Sequence, residues 1–205
     1  QQMSPWQPAS ALNQLNAAPL QQWLTLPRPL LQVLECALHV GQLSDGAFDI
    51  GVGALVNAWG FGPPSQVPDR DKIAALRQQP RAATQQALQL DMAAGRVRKL
   101  AAVTLDLCGI AKGFGVDQLA RCLDDWAISD YLVGIDGEMR AQGHKPDGQA
   151  WSVALEKPLR GVREVHSVMQ LSAAAIATSG DYRHWRELDG HSYCHTISPA
   201  SNVAL

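Results

Sequence analysis

The sequence has no surplus of positive charge. Its 17 lysines and arginines stand against 19 aspartates and glutamates, a net charge of −2 with histidine neutral. Composition therefore gives no basic face for nucleic acid or an anionic membrane. No apolar run is long enough to span a bilayer, and no secretory signal begins at Gln1. A removed signal or lipid anchor would leave the same blank. Cysteine is scarce: Cys36, Cys108, Cys122 and Cys194 lie far apart without a C-x-x-C pair, which excludes a small disulfide scaffold. Cys36 and Cys122 fall on the apolar faces of predicted helices and are expected to be buried free thiols. The Gly-Lys-Ser/Thr of a P-loop, the G-x-G-x-x-G of a dinucleotide fold and the H-E-x-x-H of a zinc helix are all missing. Repeats and low-complexity segments are absent too.

What is present is a chain of 205 residues, 46% apolar, enough to build a core in one large domain or two small ones. Ser10 is placed to cap a helix through Leu15, with Pro19 beyond its end. Pro29 suits the first turn of a longer helix, whose face runs through Leu30, Leu31, Leu34, Ala37, Leu38 and Gln42 until Ser44-Asp45-Gly46 breaks it. Asp69 is placed to cap a helix through Leu76. Ala87–Asp91 and Arg96–Leu100 flank a turn and read as a hairpin. Ala101–Leu107 reads as a strand, followed by a helix with Val116, Leu119, Ala120 and Leu123 on one face. Strands are predicted at Tyr131–Ile135, Glu138–Gln142, around Val153 and Met169, at Ala174–Thr178 and at Ser192–Ile197. Helices crowd the first half and strands the second. The expected class is α+β, with largely antiparallel sheets flanked by helices. Both ends read as cut, and Ser198–Asn202 reads as a turn whose return strand is missing.

Five segments carry candidate chemistry. In Asp106–Asp117 a turn with Gly109, Ala111 and Lys112 opens a helix, where backbone N–H groups gather at the positive end of the dipole and suit phosphate. Asp106 and backbone carbonyls of the same turn offer oxygens to a cation. In Asp45–Gly62 small residues let a ligand approach backbone, Asp49 is a fixed acceptor, and Trp59 and Phe61 are expected in the core. Gly134–Arg140 reads as a tight turn bearing a surface ion pair between Glu138 and Arg140. Ala177–Arg183 brings hydroxyls, Asp181 and Arg183 together after a strand, and a turn with an Asx-type hydrogen bond explains it equally well. In Tyr193–Pro199, His191 and His195 stand four apart, a strand spacing too wide for easy zinc chelation. An imidazole titrates near neutral pH, which suits His195 to act as a general base.

These segments together resemble the FAD:protein FMN transferases, the bacterial flavin-transferase family once called thiamine-biosynthesis lipoproteins. Met3-Ser4-Pro5-Trp6 with Ser10 and Asn16 matches its first motif. Gly46 to Gly62 follows G-A-F-D-I-x-V-G-x-L-V-N-x-W-G-F-G almost letter for letter, and Asp106 to Asp117 follows D-L-x-G-I-A-K-G-x-x-V-D. Gly137–Gly143, Ala177–Arg183 and His195–Pro199 supply the remaining blocks. Ser198, Cys108 and Asp136 depart from the pattern: the family usually has aspartate at the first, and glycine or another small residue at the other two. The resemblance implies a single flavin-transferase-like domain over 1–205, truncated at both ends and for that reason a weak catalyst or inactive. It implies transfer of FMN from FAD to a threonine or serine of an acceptor protein through a phosphoester, with release of AMP. By the same resemblance Trp6 stacks near the adenine, and Ala47, Phe48, Asp49, Asp106, Lys112, Asp181 and Ile197 line the FAD site. Mg2+ approaches Gly109 and Ala111, and His195 is the base. The implied acceptor is a membrane redox subunit, and the implied location is the bacterial periplasm or an inner-membrane lipoprotein. An FAD pyrophosphatase and a non-catalytic FAD-binding protein are the alternatives. The Asp49, Asp106, Asp181 and His195 segments are expected to converge on one cleft.

Overall fold

The structure is a computed structural model that describes residues 2–63 and 66–205; the expectation concerning Gln1 lies outside them. In chain order the first elements are α1 (Ala11–Ala17), β1 (Leu24–Thr25), α2 (Arg28–Leu43), α3 (Gly53–Ala58), α4 (Arg70–Gln78), α5 (Thr84–Ala87), β2 (Leu88–Asp91) and β3 (Arg96–Lys99). Next come α6 (Ala111–Asp125), β4 (Tyr131–Ile135), β5 (Glu138–Gln142), β6 (Trp151–Glu156), β7 (Val165–Leu171) and β8 (Ala174–Ile176). The last are β9 (Trp185–Leu188), β10 (His191–Cys194), β11 (Ile197–Ser198) and β12 (Val203–Ala204). Among the described residues every strand ladder is antiparallel, and the class is α+β. The chain divides into two compact units, Gln1–Gly109 with His184–Leu205, and Ile110–Arg183.

In the first unit Ser10 Oγ accepts from the Asn13 N–H at 3.1 Å and starts α1, whose Leu12 and Leu15 are fully buried. Asp69 caps α4 in the same way through the Lys72 N–H. The buried stripe of α2 is Leu30, Leu31, Val33, Leu34, Ala37 and Gly41. It turns away from Gln42, which is exposed, so the face predicted from the sequence is rotated at its C-terminal end. Sheet β1-β3-β2 contains the predicted hairpin, with Leu90 opposite Val97. A second apolar cluster joins Leu55, Ala58 and Trp59 of the α3 region to Ile73 and Ala204, with Phe61, Tyr193 and Ile197 against it. Gly60 makes this possible: its φ is +75°, and a Cβ there would lie 2.8 Å from the Val67 backbone.

The second unit packs α6 on the three-stranded sheet β4-β5-β8, with the β6–β7 hairpin beside it. Its core is Ala141, Val153 and Leu171. Asp136 and Gly137, at φ +49° and +100°, form the two-residue turn that sets Ile135 opposite Glu138.

Several expectations are corrected. Ala101–Leu107 is not a ladder strand; its only pairing among the described residues is a parallel bridge between Val52 and Thr104. Side chains and loop carbonyls take its backbone groups instead, as described below. The strand predicted at Ser192–Ile197 is broken at His195-Thr196, because β10 pairs with β9 and β11 turns back to β12. That turn has its return strand, Val203–Ala204. Cys36 and Cys122 are exposed rather than buried, while Cys194 is buried. Leu119 is exposed, because α6 buries the narrower stripe of Val116 and Ala120.

Candidate functional site

In the first unit the loop after α2 carries Asp49 inward, and its side chain is only 2% exposed. Oδ1 accepts from the Gly51 N–H at 2.7 Å and from the Thr84 hydroxyl. Oδ2 accepts from Arg81 Nη1 at 2.8 Å and from the Thr84 N–H at 3.4 Å. Burial pushes this carboxyl up; hydrogen bonds from Thr84, Gly51 and Arg81 outweigh it and hold the group below the ordinary aspartate value. Arg81 extends the network by donating from Nη2 to the Pro199 carbonyl at 3.3 Å. Its Nε is buried without a partner. Asp49 thus clamps its own loop to the start of α5 and to the Pro199 turn. Both of its oxygens are already engaged.

The Thr104–Gly109 segment is held by the same region. The Asn16 amide grips Leu105 from both sides, its Oδ1 accepting from the Leu105 N–H at 2.8 Å and its Nδ2 donating to the Leu105 carbonyl at 3.1 Å. This supplies what a neighbouring strand would otherwise give. The Asp106 N–H donates to Ile50 O at 2.8 Å, and the Gly53 N–H to Thr104 O at 3.0 Å. A Cβ on Gly53 would lie 2.8 Å from that same Thr104 oxygen, so only glycine permits the approach. Half-buried Asp106 folds back to accept from the Cys108 N–H at 2.8 Å, and Phe48 lies beside Gly109. The Phe48–Ile50, Asp106–Gly109 and Pro199 segments are therefore joined in one hydrogen-bonded junction.

His195 follows β10 and is exposed, with its N–H donating to His184 O at 3.2 Å. Its ring stands perpendicular to that of His184, with centroids 5.7 Å apart, and edge-on to Phe61. His191 is exposed and faces the Asp189 carbonyl. Ile197 packs on the Trp59 cluster. Trp6 is 54% exposed, its indole open to solvent, and Ala47 is exposed as well.

In the second unit Ala111 opens α6, whose preceding residue, Ile110, provides no side-chain cap. Lys112, in the first turn, pairs with Glu138 at 2.9 Å and Asp136 at 3.5 Å. Burial disfavours its charge, and the two carboxylates more than offset that, holding the amine above the ordinary lysine value. Arg140 pairs with Asp117, so the predicted Glu138–Arg140 ion pair is not formed; the two side chains have separate partners on α6. Asp181 is exposed. Tyr182 and Arg183 both bind Glu156, which the sequence reading did not single out, and Arg163 joins them. Arg183, Tyr182 and Arg163 pull the Glu156 carboxyl down to about 2.

Among the described residues no group of three or more His, Cys, Asp or Glu side chains is arranged to hold a metal ion. Backbone oxygens of Gly109 and Ala111 do not make a magnesium site by themselves, because magnesium demands near-octahedral oxygen ligation.

An α+β chain with these motif blocks has clear relatives. The ApbE family model matches residues 1–204, and the chain belongs to that family. The FAD:protein FMN transferase of Vibrio cholerae serotype O1 is 37% identical over 204 residues, covering 98% of this chain and 60% of that protein. The protein of the same name from Klebsiella pneumoniae is 34% identical over 210 residues, covering 99% and 59%. The crystal structure of the Pseudomonas stutzeri flavinyl transferase ApbE in its apo form superposes with a TM-score of 0.82 at 34% identity, covering 100% of this chain and 63% of that one. The flavin transferase ApbE from Vibrio cholerae gives 0.81 at 36% identity, covering 98% and 63%. The chain spans about 60% of the length of the curated relatives it matches.

Proposed function

We propose that this chain serves the transfer of FMN from FAD to a threonine or serine hydroxyl of an acceptor protein, with release of AMP. What supports the reading is the junction around Asp49, which ties three motif blocks far apart in sequence, together with relatives named for that reaction. The hydroxyl oxygen attacks the phosphorus of the FMN half of FAD. The bond from that phosphorus to the bridging oxygen breaks, and its electron pair leaves with AMP. The hydroxyl proton passes to the His195 imidazole, assistance worth about a hundredfold to ten-thousandfold. Lys112 and the uncapped N–H groups of α6 meet phosphate charge. By the resemblance, Trp6 offers a ring to the adenine, and Ala47, Phe48, Asp106, Asp181 and Ile197 are assigned to FAD. Asp49 acts by positioning its loop, since its oxygens are already bonded.

Magnesium dependence, with the ion approaching Gly109 and Ala111, belongs to this reading by the resemblance alone. A membrane redox subunit is the proposed acceptor, and the bacterial periplasm or inner membrane the proposed location. Incubation with FAD, magnesium chloride and an acceptor protein tests the activity. Transfer gives AMP and covalently bound flavin in equal amounts. AMP with free FMN would make the protein a pyrophosphatase, and unchanged FAD would leave it a binder at most.

A further inference from the structure

Lys112 sits between two unequal partners. Glu138 lies 2.9 Å from its amine and is mostly buried, its side chain 15% exposed, with Oε2 enclosed and unbonded. Asp136 lies 3.5 Å away, its side chain 76% exposed. One cation thus faces two carboxylates, and the lysine side chain itself remains 38% exposed. Glu138 is the fixed partner, because freeing it would leave a buried carboxylate without a counter-ion. Asp136 is the exchangeable one, because in water its pairing contributes little.

We propose that Asp136 sets the affinity for the ligand's phosphates by competing for Lys112: an incoming phosphate displaces Asp136 from the amine, while Glu138 stays. The proposal rests on the reading that Lys112 meets the pyrophosphate of FAD. Asp136 holds its place for a backbone reason as well. It occupies the left-handed first position of the β4–β5 turn, at φ +49°, which asparagine and glycine also adopt readily. Asp136→Asn therefore removes the charge and keeps the turn.

The expected gain follows from Coulomb's law. One unit charge about 5–7 Å from a phosphate, at an effective dielectric of about 50 to 80, changes affinity about threefold to tenfold. Calorimetry with FAD on the full chain, for the parent, Asp136→Asn, Lys112→Met and the double variant, measures it. Asp136→Asn is expected to tighten FAD binding about threefold to tenfold at low salt, with the gain shrinking as salt rises. Asp136→Gly should reproduce it. Lys112→Met should weaken binding, and in its background Asp136→Asn should gain less than half as much in log units. Weakened binding in Lys112→Met with no gain in Asp136→Asn would overturn the competition alone. An equal gain with and without Lys112 would also overturn it, since Asp136 would then act only as a diffuse charge. Unchanged affinity in Lys112→Met would overturn the assignment of Lys112 to FAD, and the competition with it.

Discussion

Replacing Asp49 tests whether a residue of the most specific motif serves the frame rather than the ligand. Its carboxylate accepts from two N–H groups, one hydroxyl and one guanidinium in a nearly sealed position. Asp49→Ala leaves the Thr84 hydroxyl, the Gly51 N–H and the Arg81 guanidinium without their acceptor. Thr84 is 2% exposed, so water cannot replace the lost bonds without opening the loop. Removing one member of a buried charge pair costs about 3–5 kcal/mol, and hydrogen bonds to a charged group contribute about 1.5–3 kcal/mol each, not additively. An overall loss of about 4 kcal/mol lowers the melting temperature of a unit this size by roughly 15 °C. Asp49→Asn keeps an acceptor for Gly51 and Thr84 but turns an amide N–H toward Arg81, so about half that loss is expected. The pH dependence follows from the lowered carboxyl. Its stabilisation is complete above the unfolded aspartate value of about 4 and fades as pH falls through the lower folded value. The parent should therefore lose stability on acidification below about pH 4, and Asp49→Asn less steeply. Differential scanning calorimetry across pH 3–7 is the measurement. A melting temperature for Asp49→Ala within 2 °C of the parent, or parallel acid limbs for parent and Asp49→Asn, would refute the reasoning.

Asn16→Ala strips both hydrogen bonds from Leu105 and should cost about 2–4 kcal/mol in urea unfolding, because a partly enclosed N–H and C=O lose their partners together. Glu156→Gln should loosen the Thr178–Arg183 segment, read as faster trypsin cleavage after Arg183; in the parent, NMR titration should find the Glu156 carboxyl ionised down to about 2. If the proposed reading holds, His195→Ala in the full-length protein lowers flavin transfer at least about a hundredfold while FAD affinity stays within a few-fold, because a base acts mainly in the transition state. His191→Ala should alter neither, and equal losses in the two variants would move the base elsewhere.

Local signals in the sequence were legible where physics is local. Ser10 and Asp69 cap the helices they were expected to cap, and Asp136-Gly137 makes the turn between two strands whose bounds match the expectation. The first unit's junction was only half legible. Asp49, Asp106 and the Pro199 turn stood out as motif members. Arg81 and Thr84, which bind Asp49 from 32 and 35 residues away, carry no pattern that marks them. The apolar run Ala101–Leu107 reads as a strand from the sequence, and its Leu105 and Leu107 are indeed buried. Burial alone cannot say whether the backbone partner is another strand or the amide of Asn16. The same ambiguity hid Glu156: its strand was predicted, but the arginines and tyrosine that gather on it arrive from β7's approach and from the turn after β8.

The motif residues divide by how far they are held inside their own units. Asp49, Asn16, Ser10 and Arg183 are bonded within their own units, so their substitution should appear first as lost stability. Trp6 and His195 are exposed, and Lys112 pairs with Asp136, itself mostly exposed. For these, changes in binding or rate should appear with the melting temperature nearly unmoved. The division gives each matched position a role from its bonding rather than from its letter. A junction built from loops has no full ladder to hold it, so side chains in fixed places, Asn16, Asp49 and Arg81, supply hydrogen bonds that neighbouring strands would otherwise give.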